Sequence, residues 1–184
     1  MVSENLRVVI SKKMMKDGLL RCIKHRSIDR LSISELCRES QVNRATFYNH
    51  YSSPKEILTE IIWDYAKEVQ RIAESNRDAA PEERLTKCLA YVYDNKDDIL
   101  TVMRANVDEE TTAANLEAMR YGLRQLIDIR RSADLDDQEY ELAATGYCRA
   151  VQFMLRQWFT EDIDKTPREI AALMMKLPPA KIYK

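Results

Sequence analysis

Glycine and proline are scarce, with only 3 and 5 among 184 residues. Turn-rich β folds depend on both, so their scarcity beside 45 % apolar residues points to an all-α protein. Long apolar runs are also missing: none approaches the roughly 18–20 residues of a membrane-spanning helix. The start, MVSENLRVVISKKMMKDGLL, has neither the apolar stretch nor the cleavage site of a signal peptide. A soluble cytoplasmic protein with no membrane contact is expected. Histidine occurs twice, and the four cysteines Cys22, Cys37, Cys88 and Cys148 form no C-x-x-C pair. A Cys/His metal site therefore lacks its ligand pattern, and reduced, mostly buried thiols are expected. Gly-rich phosphate loops, H-E-x-x-H and G-x-S-x-G are absent too. Asp97-Asp98, Glu109-Glu110 and Asp136-Asp137 read as helix-start charges, favoured by the positive helix end. No catalytic residue, metal site or cofactor is expected, and the chain is not read as an enzyme.

The net charge of −1 hides an asymmetry. Residues 1–55 carry eleven Lys/Arg against five Asp/Glu, a balance of +6, and the remainder carries −7. A basic N-terminal third on an acidic body suits a nucleic-acid reader joined to a partner or dimer domain. Charge alone fits basic residues that merely solvate helix faces equally well. Two domains are expected, 1–55 and 56–184.

Helical signals run along the whole chain. A first helix is expected from Ser3 to His25, with Val8, Met15, Leu19, Cys22 and Ile23 as its stripe. Ser32-Ile33-Ser34-Glu35 is a capping box for a short second helix ending near Glu39. Ser40-Gln41-Val42 is the turn, and Asn43 caps a third helix from Arg44 to about His50. Ser53-Pro54-Lys55-Glu56 is a second box, with Pro where its missing N–H costs nothing, opening a helix to about Ser75. Further helices are expected over about 81–93, 96–105, 111–131, 137–160 and 167–177, with a frayed tail. The stripe expected in 111–131 is Leu116, Met119, Leu123, Leu126 and Ile127.

Two short helices across a tight turn, bracketed by longer ones, describe a helix-turn-helix at 32–51. A generic helical hairpin shares the pattern. The chemistry of the third helix adds to it. Ala45 and Thr46 are small enough for the backbone to approach base edges, and both suit a thymine methyl. Arg44 can donate two bonds to guanine, and Asn49 can pair with adenine. Tyr48 and His50 carry polar tips suited to phosphate, and Ser34 and Lys55 flank the same surface. Helix N-termini at Arg44 and Pro54 offer unpaired N–H groups. Each side chain also has an ordinary reading, Arg44 as a solvated charge and His50 as a packed or surface histidine. Phe47 and Tyr51 are read as core.

The block SISELCRESQVNRATFYNHYSSPKEIL resembles the DNA-binding domain of the TetR family of bacterial regulators, through Thr46-Phe47-Tyr48-Asn49-His50-Tyr51. The likeness covers residues 5–60. It departs from the family pattern at Gln41 and Ser27, where Gly is usual, and at Pro54, where the phosphate-binding Lys is usual and Lys55 follows one place later. A non-Gly residue at 41 is then expected at positive φ. GYCRAVQFMLRQWFTEDIDKTPREIAALM resembles one C-terminal type common in Firmicutes, with Trp158 matching its Trp.

The resemblance implies an all-α fold, an N-terminal three-helix DNA-binding domain and a C-terminal helical effector and dimerisation domain. It implies a homodimer on a palindromic double-stranded DNA operator, acting as a repressor that an unidentified small-molecule effector releases. The helix from Pro54 would be the mechanical link. Tyr147, Val151, Met154, Leu155 and Trp158 are the candidate dimer face. Trp63, Tyr91, Met103, Met119, Tyr147 and Met154 are the candidate effector pocket. Plain intramolecular core is the alternative for the dimer face, and Met and aromatic residues at helical spacing, as in the pocket set, are more often core. Some proteins of this fold act as co-regulators through protein contacts without an operator, and that alternative stays open.

Overall fold

The computed structural model describes residues 2–105, 109–124, 135–161 and 163–176. These residues form helices and no strand. In order they are α1 (Val2–Ile23), a 3-10 turn (Ile28–Arg30), α2 (Ile33–Ser40), α3 (Arg44–Tyr48), α4 (Pro54–Ser75), α5 (Pro81–Asp94), α6 (Lys96–Ala105), α7 (Glu109–Leu123), α8 (Asp137–Thr160) and α9 (Pro167–Lys176). None of these helices is long and apolar enough to cross a membrane. The expected stretch 125–131, with Leu126 and Ile127, and the tail beyond Lys176 lie outside the described residues.

The chain divides into two compact units, Met1–Trp63 with Thr101–Ala114, and Asp64–Leu100 with Asn115–Lys184. In the first unit, α1 packs on α2, and α2 on α3. The α1 stripe is inside as its period requires: Met15, Leu19, Cys22 and Ile23 are buried and Val8 half-buried. Leu36 and Cys37 of α2, Phe47 of α3, Tyr51, and Ile57, Leu58, Ile61 and Ile62 of α4 are buried in the same unit. Gly18 explains how close α1 comes to α2. A Cβ there would lie 2.1 Å from Ser40 Oγ and 3.0 Å from Ser40 Cα. The glycine thus trades helix propensity for contact between backbones.

In the second unit α5 and α9 pack together. α8 turns Ala144, Cys148, Val151, Leu155 and Trp158 inward, alternating steps of four and three along one face. Trp158 stacks on Tyr93 of α5 at 5.0 Å between ring centroids. Its indole N–H donates to the carbonyl of Lys165, at 2.9 Å, just before α9. Asp136 and Glu139 form a capping box at the start of α8. Arg120 of α7 pairs with Glu141 of α8 (Nη2–Oε1 2.7 Å).

The buried face of α7 differs from the expected stripe. Leu116, Met119 and Leu123 are only half-buried, whereas Thr111, Asn115, Ala118 and Gly122 are buried. Small size decides this. A Cβ on Gly122 would sit 3.1 Å from the carbonyl oxygen of Ala66, so α7 lies against the backbone of α4 there. All four cysteines are free and buried, as their composition suggested. Burial pushes the Cys88 thiol up to about 11.

Gly18→Ala gains roughly 1 kcal/mol of helix propensity but drives a methyl into Ser40. The net expectation is a loss of about 1–3 kcal/mol, since overpacking forces backbone shifts. Ser40→Ala in the same chain should recover only part, because Ser40 Cα is also in the way. Urea denaturation checks this, and a Gly18→Ala chain as stable as the parent would contradict the close approach.

Candidate nucleic-acid interface

The helix-turn-helix is set by three local devices. The first is the capping box of α2: Ser32 Oγ accepts the N–H of Glu35 (3.3 Å), and Glu35 Oε2 accepts the N–H of Ser32 (3.1 Å). Glu35 also pairs with Arg26 at 2.9 Å. The bonds from Ser32 and then Arg26 hold its carboxyl down to about 2. The second is Gln41, whose φ of 56° and ψ of 33° place it in the left-handed region, as expected from the missing glycine. Its N–H and that of Val42 close onto carbonyls of α2, turning the chain sharply. The third is Asn43, whose side chain accepts the N–H of Thr46 at 2.7 Å and starts α3.

α3 is shorter than the expected 44–50, ending at Tyr48. The backbone still curls onward, because the N–H groups of His50 and Tyr51 both reach the carbonyl of Phe47. Phe47 and Tyr51 are buried and anchor one face. The other face carries the candidate contacts. Arg44, Ala45 and Asn49 are exposed, Tyr48 is 60 % exposed, and Thr46 and His50 are half-exposed. A tyrosine left this open beside a buried phenylalanine is surplus to the core and available to a partner. Ser34 is exposed on α2, and its hydroxyl accepts a hydrogen bond from the guanidinium of Arg44. The two are thereby held together.

Lys55 pairs within the chain. Its ammonium lies 2.9 Å from the carboxylate of Asp29 in the 3-10 turn. Next to it, Glu56 accepts from the N–H (2.7 Å) and hydroxyl (2.9 Å) of Ser52. Its own N–H goes to Ser53 Oγ at 3.4 Å. The box expected at Ser53 is therefore reciprocated one residue earlier.

Glu60 of α4 fixes the whole arrangement from behind. It receives Lys16 (2.7 Å), Lys12 (2.9 Å) and the hydroxyl of Tyr51 (2.9 Å). Lys12 also lies over the Tyr51 ring, 5.2 Å from its centroid. Burial pushes the Glu60 carboxyl up, but the bonds from Lys16, Lys12 and Tyr51 together outweigh it and hold the group at about 2. Sequence reading missed both Asp29 and Glu60. Lys55 lies 26 residues from Asp29 and Lys12 lies 48 from Glu60, so no local spacing announces these pairs; only Tyr51, nine residues before Glu60, is near in the chain.

The C-terminal candidates divide. Trp63 and Met103 belong to the first unit and are half-buried. In the second unit Tyr91 lies 6.2 Å from Tyr65, and Tyr65 donates to Asp98 at 3.2 Å. Burial, then the charges of Glu68 and Asp64, push the Tyr91 hydroxyl up to about 12. Met119 and Tyr147 are half-buried, and burial also raises Tyr147. Met154 lies instead in an open groove of about 590 Å³ between α8 and α9, with Phe153, Gln157, Ile163 and Leu173. Of the candidate dimer face, Val151 (4 % exposed), Leu155 (8 %) and Trp158 (5 %) are already covered by their own unit. They have little surface left for a second copy. Phe153, 63 % exposed on the same helix, has.

A family model described as "Bacterial regulatory proteins, tetR family" matches residues 17–61. A second, described as "Transcriptional regulator C-terminal region", matches residues 79–178. A search of curated proteins found no match. Among solved structures, a TetR transcriptional regulator from Streptococcus agalactiae 2603V has a TM-score of 0.66 at 16 % identity, covering 96 % of this chain and 97 % of that one. A transcriptional regulator (TerR/AcrR family) from Aquifex aeolicus VF5 has a TM-score of 0.62 at 19 % identity, covering 91 % and 98 %. The dihydroxyacetone kinase operon activator DhaS has 0.57 at 17 %, covering 92 % and 94 %. These likenesses are of fold.

Because the Glu60 carboxyl is held well below its usual 4.5, its contribution to stability is present above pH 4.5 and lost as pH falls toward 2. Glu60→Gln should cost about 2 kcal/mol near neutral pH, with the gap from the parent closing over that acid window. Denaturation at several pH values reads this directly; a gap independent of pH would show that the charge of Glu60 is not what matters.

Proposed function

Since this chain belongs to the TetR family of transcriptional regulators, we propose that it is a homodimeric repressor, bound to a near-palindromic operator and released by a small-molecule effector. The reading rests on α3. Its outward face and the two residues that follow offer Arg44, Ala45, Thr46, Tyr48, Asn49 and His50 while Phe47 and Tyr51 hold the helix in place. Side chains of this kind, presented from the start of a short capped helix, suit base edges and phosphates in a major groove. The protein acts on DNA in the cytoplasm, and its chemistry is recognition rather than catalysis.

Dimerisation is supported by the α8/α9 groove. Phe153 of α8, Ile163 of the connection and Leu173 of α9 are exposed and line this groove in the single chain, and contiguous exposed apolar surface marks an interaction site. The contact on a second copy is therefore assigned to Phe153, Met154 and Leu173, with Val151, Leu155 and Trp158 supporting it from beneath. Two-fold symmetry then sets the half-sites roughly 34–36 Å apart, or slightly more. Tyr91, Met119 and Tyr147 remain the candidates for effector contact in the second unit. An effector releases DNA only by preferring one conformation of the dimer over the other.

Repeated selection of a random duplex library on the protein should enrich an inverted repeat. Tyr48→Ala and His50→Ala should each bind that duplex at least about tenfold more weakly in gel shifts, which is some 1.4 kcal/mol, with the dimer intact by sedimentation. A co-regulator working through protein contacts alone would enrich no sequence. Enrichment with unchanged affinity in both variants would move the reading surface away from α3.

A further inference from the structure

Lys55 is the second residue of α4 and stands five residues beyond His50. Its side chain is half-exposed, yet its ammonium is engaged by Asp29 at 2.9 Å. The backbone at Asp29 is fixed by the 3-10 turn. Its N–H donates to Ser27 Oγ (3.4 Å), the next two N–H groups close onto Ser27 and Ile28 carbonyls, and Ile28 beside it is buried. On the other side of Lys55, the carboxylate of Glu56 takes the N–H and hydroxyl of Ser52. At the start of α4, two carboxylates of the chain itself thus engage Lys55 and Ser52, donors of the kind that bind phosphate.

Resting on the DNA-binding reading above, we propose that Asp29 is an internal competitor of the DNA backbone: it retains Lys55 in the complex and keeps that charge out of the phosphate contacts. The physical logic is one of competition. The ammonium has three donors, but a phosphate that approaches Lys55 must lie against a carboxylate already at contact distance, and that carboxylate offsets most of what the cation offers. The paired cation releases no counterion when DNA binds, so it adds nothing to the salt dependence. Asp29 therefore sets affinity below the value that the basic charge of residues 1–55 would give. It tunes how readily the protein leaves DNA without touching a base.

The test is fluorescence anisotropy of the full chain on a labelled random-sequence duplex of about 30 base pairs, titrated with salt between roughly 50 and 200 mM, where binding is dominated by phosphate neutralisation. Asp29→Asn keeps the shape and the backbone bond to Ser27. It should tighten binding roughly threefold to tenfold and steepen the slope of log K against log salt by about 0.9, the value for one more phosphate contact. Asp29→Asn with Lys55→Gln should return both to parental values, since the pair is removed whole. Lys55→Gln alone should weaken binding by leaving a bare carboxylate, with no change in slope. The proposal is overturned by an Asp29→Asn slope equal to the parent's, or by a double variant as steep as Asp29→Asn. A Lys55→Gln slope shallower by about 0.9 also overturns it, because Lys55 would then already be on a phosphate. If the parent chain itself fails to bind the duplex at low salt, the DNA-binding reading fails and this proposal with it. Parental binding with an indifferent Asp29 removes only the proposal.

Discussion

The carboxylate of Glu60 receives two ammonium groups from α1 and the phenol of Tyr51, and the geometry of the first unit depends on that meeting. Tyr51 closes the turn that follows α3, and its N–H returns to Phe47, the residue that seats α3 in the core. Glu60 therefore reaches α3 through Tyr51 and α1 through Lys12 and Lys16. A partly buried carboxylate with three charged or polar donors is fully satisfied, so it orders its surroundings instead of destabilising them. Hydrophobic contacts alone would tolerate a small slide of α1 on α4; a carboxylate with three partners at 2.7–2.9 Å does not.

Around this clamp the first unit spends its acidic residues on internal order. Glu35 caps α2 and holds Arg26, Glu39 holds Arg21 (2.7 Å), Glu60 holds α1, and Asp29 holds Lys55. What stays open is the outward face of α3. The balance of +6 over residues 1–55 is thus partly committed within the fold. A head built this way presents a defined polar surface on a rigid support, which favours selective reading over indiscriminate attraction.

Local devices were legible in the sequence because their partners lie within a turn. The Ser32 box, the Asn43 cap, the Pro54 and Pro81 helix starts and the left-handed Gln41 all follow from residue type at short spacing. Phe47 and Tyr51 were legible as core because large aromatic residues here are more often core than contact. Three things were not. The Glu60 and Asp29 pairings join residues far apart in the chain. The contact of Gly18 with Ser40 uses absence of a side chain, which hydrophobic periodicity does not weigh. On α7 and α8, period located the stripe but not which edge faces inward. Small residues won the interior of α7, and on α8 Val151, Leu155 and Trp158 went inside while Phe153 stayed out.

The central claim is that α3 and the residues beside it form the DNA-reading surface. Hydrogen–deuterium exchange of the full chain, with and without the selected duplex, tests it most directly. Amides of α3 and of the turns on either side, residues 41–56, should slow markedly on binding, since these N–H groups lie at or next to the proposed contacts. Slowing confined to α8 and α9, with residues 41–56 unchanged, would contradict the account.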